Sequence, residues 1–390
     1  MDKEFQKIVF QFIESKSYTG QEKSMVETVK KVMESLDYDE IIIDDAGNII
    51  GGIHGLEEGP VVLFDGHIDT VEADNVTEWT ESPFSHYIAD GKLFGRGTSD
   101  MKGAFAAMVY AAGTLERGKL KGSAYVSGTI HEETAEGYSI NNVLDIVKPD
   151  VVVIGEATEL RINIGQRGRG EIVLETYGKS AHSSNPNIGI NSVLKMNKAL
   201  LAIEEKYVEK EDVLGKGILV LTDIISTPYP GQSVIPRVCQ VTFDRRLLLG
   251  ETRENVLEGI AAVLEPLKEQ DSEFSYKLYF RENNFKTYTG FSFSGDKFYP
   301  PWKIDEEDTV VVKAKEALIK AGIKPEISVY SFCTNGSTTC GERGIKTIGF
   351  GPGREQEAHI TNEFISIDDL EKSIIGYRFL ALALTGEGEI

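Results

Sequence analysis

The sequence predicts an α/β protein of two domains: a mainly parallel-sheet domain with helices on both faces, and a smaller α/β domain inserted into it. Three observations carry this expectation. The 390 residues exceed the roughly 250–300 at which a single hydrophobic core stops growing. Short apolar runs alternate with amphipathic stretches at helical spacing, the pattern of strands joined by crossover helices. From Gly168 to Glu282 the texture changes, which sets expected boundaries of 1–167 and 283–390 for the larger domain and 168–282 for the insertion.

Each element has its own signal. Between Glu22 and Leu36, residues Met25, Val26, Val29, Val32, Met33 and Leu36 recur at helical spacing with charges between them, so this stretch is an amphipathic helix. Val61–Phe64, Ala124–Ile130, Val151–Ile154 and Thr347–Phe350 are apolar and short enough to be buried strands. Met101–Glu116 and Ile367–Leu384 supply helices between and after them. In the insertion, Ile172, Leu174 and Thr176 alternate, a helix is expected near Asn191–Lys206, and Val238–Leu247 reads as a strand. Gly215-Lys-Gly and Thr227-Pro-Tyr-Pro-Gly231 are turns.

Composition excludes several classes of function. Lys plus Arg number 41 against 62 Asp plus Glu, and the resulting charge of −21 repels a phosphate backbone, so nucleic acid is not an expected partner. No apolar run approaches the roughly 18 residues of a membrane span. The start Met1-Asp-Lys-Glu-Phe lacks a secretory pattern, which gives a cytoplasmic expectation. Cys239, Cys333 and Cys340 are too few and too scattered for a disulfide framework or a cysteine-ligated metal.

Acidic and histidine residues follow the apolar runs, where open α/β sheets bind ligands. His67 and Asp69 follow the first run, Glu132 and Glu133 the second, Glu156 the third, and His359 the fourth. Asp100 lies in a glycine-rich turn before a helix. Alone, each has an ordinary explanation as a cap or a solvated face. Together, two imidazoles and several carboxylates without a thiolate suit two divalent ions, zinc first and cobalt or manganese next. His67, Asp100, Glu133, Glu156 and His359 would be the ligands, Glu132 the general base, and Asp69 the orienting partner of the His67 imidazole.

Gly66-His-Ile-Asp69-Thr-Val71, Gly95-Arg-Gly-Thr-Ser-Asp100-Met-Lys-Gly103, His131-Glu-Glu-Thr-Ala-Glu-Gly137 and Gly155-Glu-Ala-Thr158 resemble, in order and spacing, motifs of the zinc aminoacylase and carboxypeptidase family. That family includes acetylornithine deacetylase, succinyl-diaminopimelate desuccinylase and related dipeptidases. The resemblance implies one ion on His67, Asp100 and Glu156 and a second on Asp100, Glu133 and His359. It also implies that the insertion is a lid domain that forms a homodimer. Gly178-Lys-Ser-Ala-His182-Ser-Ser resembles the family segment whose histidine reaches the neighbouring subunit's site, which makes His182 a candidate catalytic residue; the local alternative is a helix cap at Ser183 or Ser184. Arg167 and Arg246 stand where relatives bind a substrate carboxylate, and structural ion pairing competes with that role.

The chain departs from its relatives in two places. Ser233-Val-Ile-Pro236 lacks the asparagine common before the Ile-Pro of the lid, and Ser331-Phe-Cys-Thr-Asn335-Gly336 replaces a Thr-Ser-Asp type of turn. Asn335 and Gly336 are therefore candidate substrate contacts. With Gly349-Phe-Gly-Pro-Gly353, this segment is most similar to the subgroup of selenium-metabolism hydrolases. The expected reaction is hydrolysis of an N-acyl amino acid by metal-activated water, with cleavage of a dipeptide or other short peptide as the alternative. A metal-stabilised binding protein without activity is the remote alternative. No Gly-x-Ser-x-Gly elbow or phosphate-binding loop supports nucleophile or nucleotide chemistry.

Overall fold

The structure, a computed structural model, describes residues 1–386. The chain divides into two compact units. The first comprises Met1–Gln166, Asn284–Phe293 and the chain from Trp302 onward; the second comprises Arg167–Asn283 and Ser294–Pro301. Ser294–Pro301, assigned by the sequence reading to the larger domain, therefore belongs to the smaller one. The reason is pairing: Phe298 and Tyr299 join the strand Gly168–Tyr177 opposite Gly170 and Arg169.

In the first unit a nine-stranded sheet has a parallel centre, one antiparallel margin and one mixed margin. The strand Glu57–His67 lies between Lys121–Thr129 and Val151–Ile154, and Lys346–Gly349 pairs on the far side of Val151–Ile154. All four run parallel. The strands Glu40–Ile43 and Ile49–His54 extend one margin in antiparallel fashion. Ile162–Gln166 closes the other margin, pairing with Lys346–Gly349, Trp302–Lys303 and Ile327–Tyr330.

Period-two alternation explains why helices cover both faces. Val62, Phe64, Val153 and Ile348 face a core built with the helices Lys3–Glu14, Lys23–Ser35, Lys102–Gly113, Thr309–Lys320 and Ile367–Thr385. Leu63, Val152 and Ile154 face the opposite way, onto Ile140, Val143, Leu144 and Val147 of the helix Ile140–Val147. The expected helix at Glu22–Leu36 forms over Lys23–Ser35 and buries Met25, Val26, Val29, Val32 and Met33. Glu22 is its N-cap residue.

The second unit is an antiparallel sheet in the order Ile218–Thr227, Val238–Leu247, Gly168–Tyr177, Tyr276–Phe280. Ile172, Leu174, Cys239, Val241 and Phe243 pack one face against the helices Ser192–Lys206 and Arg253–Gln270. The cap of Ser192–Lys206 is Asn191, whose side chain accepts from the amides of Val193 and Leu194, so the local reading of Ser183 or Ser184 as the cap does not hold.

The turn before Lys102–Gly113 follows the short strand Lys92–Phe94, and beyond that strand its amides lack ladder partners. Glu363 takes their place: one carboxylate oxygen accepts from Ser99 N (2.8 Å) and Asp100 N (3.1 Å). The other accepts from Gly97 N (3.0 Å) and from the Arg96 guanidinium (2.7 Å). Gly97 takes φ +85°, a conformation glycine adopts without a Cβ penalty. Both members of the Arg96–Glu363 pair are buried. Glu363→Ala should therefore leave Arg96 buried without its counter-charge and cost about 3–5 kcal/mol in urea unfolding. A loss below about 1 kcal/mol would show that Glu363 does not hold this turn.

Candidate metal centre

Four adjacent parallel strands deliver their carboxyl ends to one edge of the sheet, and each is followed by one or more of the expected ligands. His67 is the last residue of Glu57–His67. Glu132 and Glu133 form a 3-10 turn after Lys121–Thr129. Glu156 follows Val151–Ile154, and His359 lies in the loop after Lys346–Gly349. Asp100 enters from the turn held by Glu363.

The structure brings these side chains together. His67 Nε2 lies 2.9 Å from Asp100 Oδ1 and 3.3 Å from Glu156 Oε1. His359 Nε2 lies 3.1 Å from Asp100 Oδ2 and 2.9 Å from Glu133 Oε2. The two oxygens of Asp100 thus face two different imidazoles, each of which also meets a second carboxylate. Ligands about 2.1 Å from one tetrahedral ion are separated by roughly 3.4 Å, so both groups have the dimensions of a metal's ligand shell. His67, Asp100 and Glu133 offer one group of atoms within 4.8 Å of one another, and His67, Glu132 and Glu156 offer another.

Electrostatics favour a cation here. Burial raises the Glu132 carboxyl well above its ordinary range, raises Glu156, and raises Glu133 to about 7. Hydrogen bonds to Asp100 and Glu133 raise the His359 imidazole to about 10. A divalent cation bound there would compete with protons for these groups. Nearby fixed cations have other partners, Arg96 on Glu363 and Lys102 Nζ on the Ser15 carbonyl at 2.7 Å. Glu132 Oε1 is buried and, among the described residues, has no hydrogen-bond partner. The donor set fits two divalent ions with oxygen and nitrogen ligands.

Asp69 meets the His67 ring through its backbone carbonyl, and not through the carboxylate that the sequence pattern suggested. The His67 Nδ1 lies 2.9 Å from the backbone carbonyl of Asp69, while the Asp69 carboxylate stays 3.7 Å away. The strand stops at His67, so the extended geometry that would put both side chains on one face does not continue to Asp69. The carboxylate instead accepts from Glu132 N (3.1 Å), Glu133 N (3.2 Å) and Thr19 Oγ1 (2.8 Å).

Asn335 and Gly336 also change role. Asn335 Nδ2 donates to Asp65 Oδ2 (2.8 Å) and Thr129 Oγ1 (3.1 Å), and its Oδ1 accepts from Gly137 N (2.8 Å). Both residues are buried, and a Cβ on Gly336 would lie 2.4 Å from Trp302 Nε1. Neither is available to a substrate. Arg167, His182 and Arg246 belong to the second unit. His182 is exposed, with its Nδ1 2.8 Å from Ser184 Oγ. Arg167 donates to the Lys216 carbonyl (2.8 Å), and Arg246 shares Asp244 with Arg169 at 3.2 and 3.1 Å. Ion pairing, the competing reading, is what this structure records for Arg246.

Sequence reasoning missed Glu22 and Glu363. Both act on backbone amides, and no ligand spacing marks such residues. Glu22 Oε1 accepts from Gly20 N (2.7 Å) and His131 N (3.3 Å).

The sequence matches the peptidase family M20/M25/M40 over residues 63–383. It is 36% identical over 352 residues to the uncharacterized protein YgeY of Escherichia coli K12, covering 88% of this chain and 85% of that one. It is 29% identical over 319 residues to the acetylornithine deacetylase of Buchnera aphidicola subsp. Schizaphis graminum, covering 78% and 75%. In fold it is similar to the YXEP protein of Bacillus subtilis, a dinuclear metal-binding peptidase, with a TM-score of 0.72, 16% identity and coverage of 98% and 97%. With the metal-ligand cluster in place at the strand ends, the chain belongs to the peptidase family M20/M25/M40 and is a metal-dependent hydrolase of amide or peptide bonds.

Proposed function

We propose that this hydrolase is a dinuclear deacylase that cleaves the amide bond of an N-acyl amino acid. The observation that carries the reading is Asp100, whose two oxygens face His67 and His359 in separate ligand groups beside Glu132. His67, Asp100 and Glu156 would hold one ion; Asp100, Glu133 and His359 would hold the other. Two divalent ions bound there, zinc in the first instance, supply Lewis acidity toward the scissile carbonyl and make water a stronger acid. Glu132 accepts the proton of the attacking water and passes it to the departing amine nitrogen, giving an amine and a carboxylic acid. Similarity to an acetylornithine deacetylase supports the N-acyl substrate class.

The second unit supports a homodimer. Ile218–Thr227 is an edge strand with Val220, Leu221, Ile224 and Ile225 exposed, and such an edge invites pairing with another chain. A second copy joined there would bring the lid resemblance into play, with His182 of one chain stabilising the oxyanion formed in the other.

Three experiments test these statements. Protein reconstituted with zinc should approach two ions per chain and hydrolyse members of a panel of N-acetyl, N-succinyl and N-carbamoyl amino acids; full activity in chelator-treated, metal-free protein refutes the metal role, and turnover of dipeptides alone favours a peptidase. Glu132→Gln should keep its ions and lose turnover by roughly 10²–10⁴, while Glu133→Gln should also lose occupancy of one ion. Equal metal loss in both, with turnover restored to Glu132→Gln by added metal, would reverse the assignment. Finally, mixing His182→Ala with Glu132→Ala under subunit exchange should recover part of the wild-type rate, because one site of each mixed dimer is intact. Demonstrated heterodimers without recovery would remove His182 from a shared site.

A further inference from the structure

Three consecutive amides, those of His131, Glu132 and Glu133, donate to carboxylate oxygens. Asp69 takes the second and third, and Glu22 takes the first. Glu22 is buried and is the N-cap residue of Lys23–Ser35, where the helix dipole favours a negative group. The segment that carries it is anchored independently. Tyr18 bridges to Thr70, the amide of Thr19 donates to the Thr70 carbonyl (3.3 Å), and Thr19 Oγ1 donates to Asp69. The Tyr18–Glu22 segment, the end of the His67 strand and the turn carrying the base are therefore laced together by two carboxylates. His131 itself takes φ +58°, so the turn bends sharply at the residue whose amide Glu22 receives. Its ring lies along Gly20, where a Cβ would meet Cε1 and Nε2 at 3.6 Å, and it packs on Phe285 with centroids 4.5 Å apart.

We propose that Glu22 is a positioning residue for the reaction: by accepting the His131 amide it fixes the turn that aims Glu132, and it sets kcat without touching metal or substrate. Asp69 holds the turn from its far side, through Glu132 and Glu133. Glu22 supplies the near-side anchor, ahead of the base in sequence, so that both ends of the turn are fixed. Displacement of a reacting group by about 1 Å from a distant change can cost on the order of 10²-fold in rate. The inference rests on the reading of Glu132 as the base.

The test compares three substitutions in the full-length, zinc-loaded protein, using the panel member it hydrolyses fastest. Glu22→Gln retains a carbonyl oxygen that accepts both amides and should keep kcat within about threefold. Glu22→Ala removes the acceptor. Glu22→Asp keeps a carboxyl group at the helix N-terminus but shortens the reach by one methylene. Both should lower kcat roughly 10- to 100-fold, with KM changed less than about twofold and zinc content unchanged. A second readout needs no turnover: in metal-free protein, amide hydrogen exchange across residues 131–135 should quicken roughly tenfold or more in Glu22→Ala and Glu22→Asp and stay near wild type in Glu22→Gln. Unchanged kcat in Glu22→Asp and Glu22→Ala, or unchanged exchange of the turn, overturns the proposal. Loss of the folded state in both variants assigns Glu22 to stability and overturns it as well. If Glu132→Gln retains full turnover, the assignment of the base fails while the exchange measurement still reports on Glu22; if Glu132→Gln is inactive and the Glu22 variants are not, only the positioning role fails.

Discussion

Buried carboxylates that grip backbone amides are the constraint on which the metal centre depends. Where a strand ends, its amides lose their ladder partners, and in a low-dielectric interior an unpaired amide costs about 1–3 kcal/mol. A carboxylate answers that need with charge-assisted bonds, each stronger than a neutral one. Glu363 does this for Gly97, Ser99 and Asp100, Asp69 for Glu132 and Glu133, and Glu22 for Gly20 and His131. The reciprocal benefit is that several donors, and Arg96 for Glu363, stand in for the water each carboxylate gave up. Two of the three segments so held carry residues that could hold a metal ion.

This arrangement separates two tasks that would conflict in one side chain. A carboxylate that binds an ion must accept a cation, whereas one that holds a turn must stay on its amides. Asp69 shows the division: its carbonyl contacts the His67 ring and its carboxylate is spent on the neighbouring turn. Asp100 shows the converse, with its amide held by Glu363 and both oxygens turned to imidazoles. The ligand cluster can then carry several acidic groups at close range, because its backbone supports are supplied from elsewhere.

What was legible in the sequence follows the same division. Candidate residues at strand ends, namely His67, Glu132, Glu133, Glu156 and His359, announce themselves by type and by the apolar run before them, and Asp100 by its glycine-rich turn ahead of a helix. The parallel centre of the sheet was readable for a related reason, since strands buried on both faces are continuous apolar runs. The margins were not, because Glu40–Ile43 and Ile162–Gln166 are short and the partners of Ile162–Gln166 are distant in sequence. Glu22 and Glu363 were invisible because a residue that serves backbone amides has no partner type to signal it. Asn335 was misassigned for the complementary reason: an asparagine in a Gly- and Thr-rich turn reads as a ligand contact until Asp65, Thr129 and Gly137 are found to take up its hydrogen bonds.

The same logic gives a role to the hairpin that the sequence reading left with the chain after the insertion. The chain passes between the two units four times, after Gln166, Asn283, Phe293 and Pro301, where a simple insertion would need only two passages. The extra excursion, Asn284–Phe293, is fastened to the first unit by Tyr288 OH on the Gly47 carbonyl (2.9 Å) and Thr289 Oγ1 on the Asp45 carbonyl (2.8 Å). Gly47 is open to this contact because it lacks a side chain; a Cβ there would lie 2.5 Å from the Tyr288 ring. In the same excursion Phe285 packs on His131, Phe293 stacks on Phe285, and Tyr138 lies edge-on to both phenylalanines. His131 is thus held on its amide by Glu22 and on its ring by a segment whose two ends both lead into the second unit. Backbone polarity fixes the turn from one side and aromatic packing covers it from the other, so the position of Glu132 is determined by contacts that never reach its carboxylate.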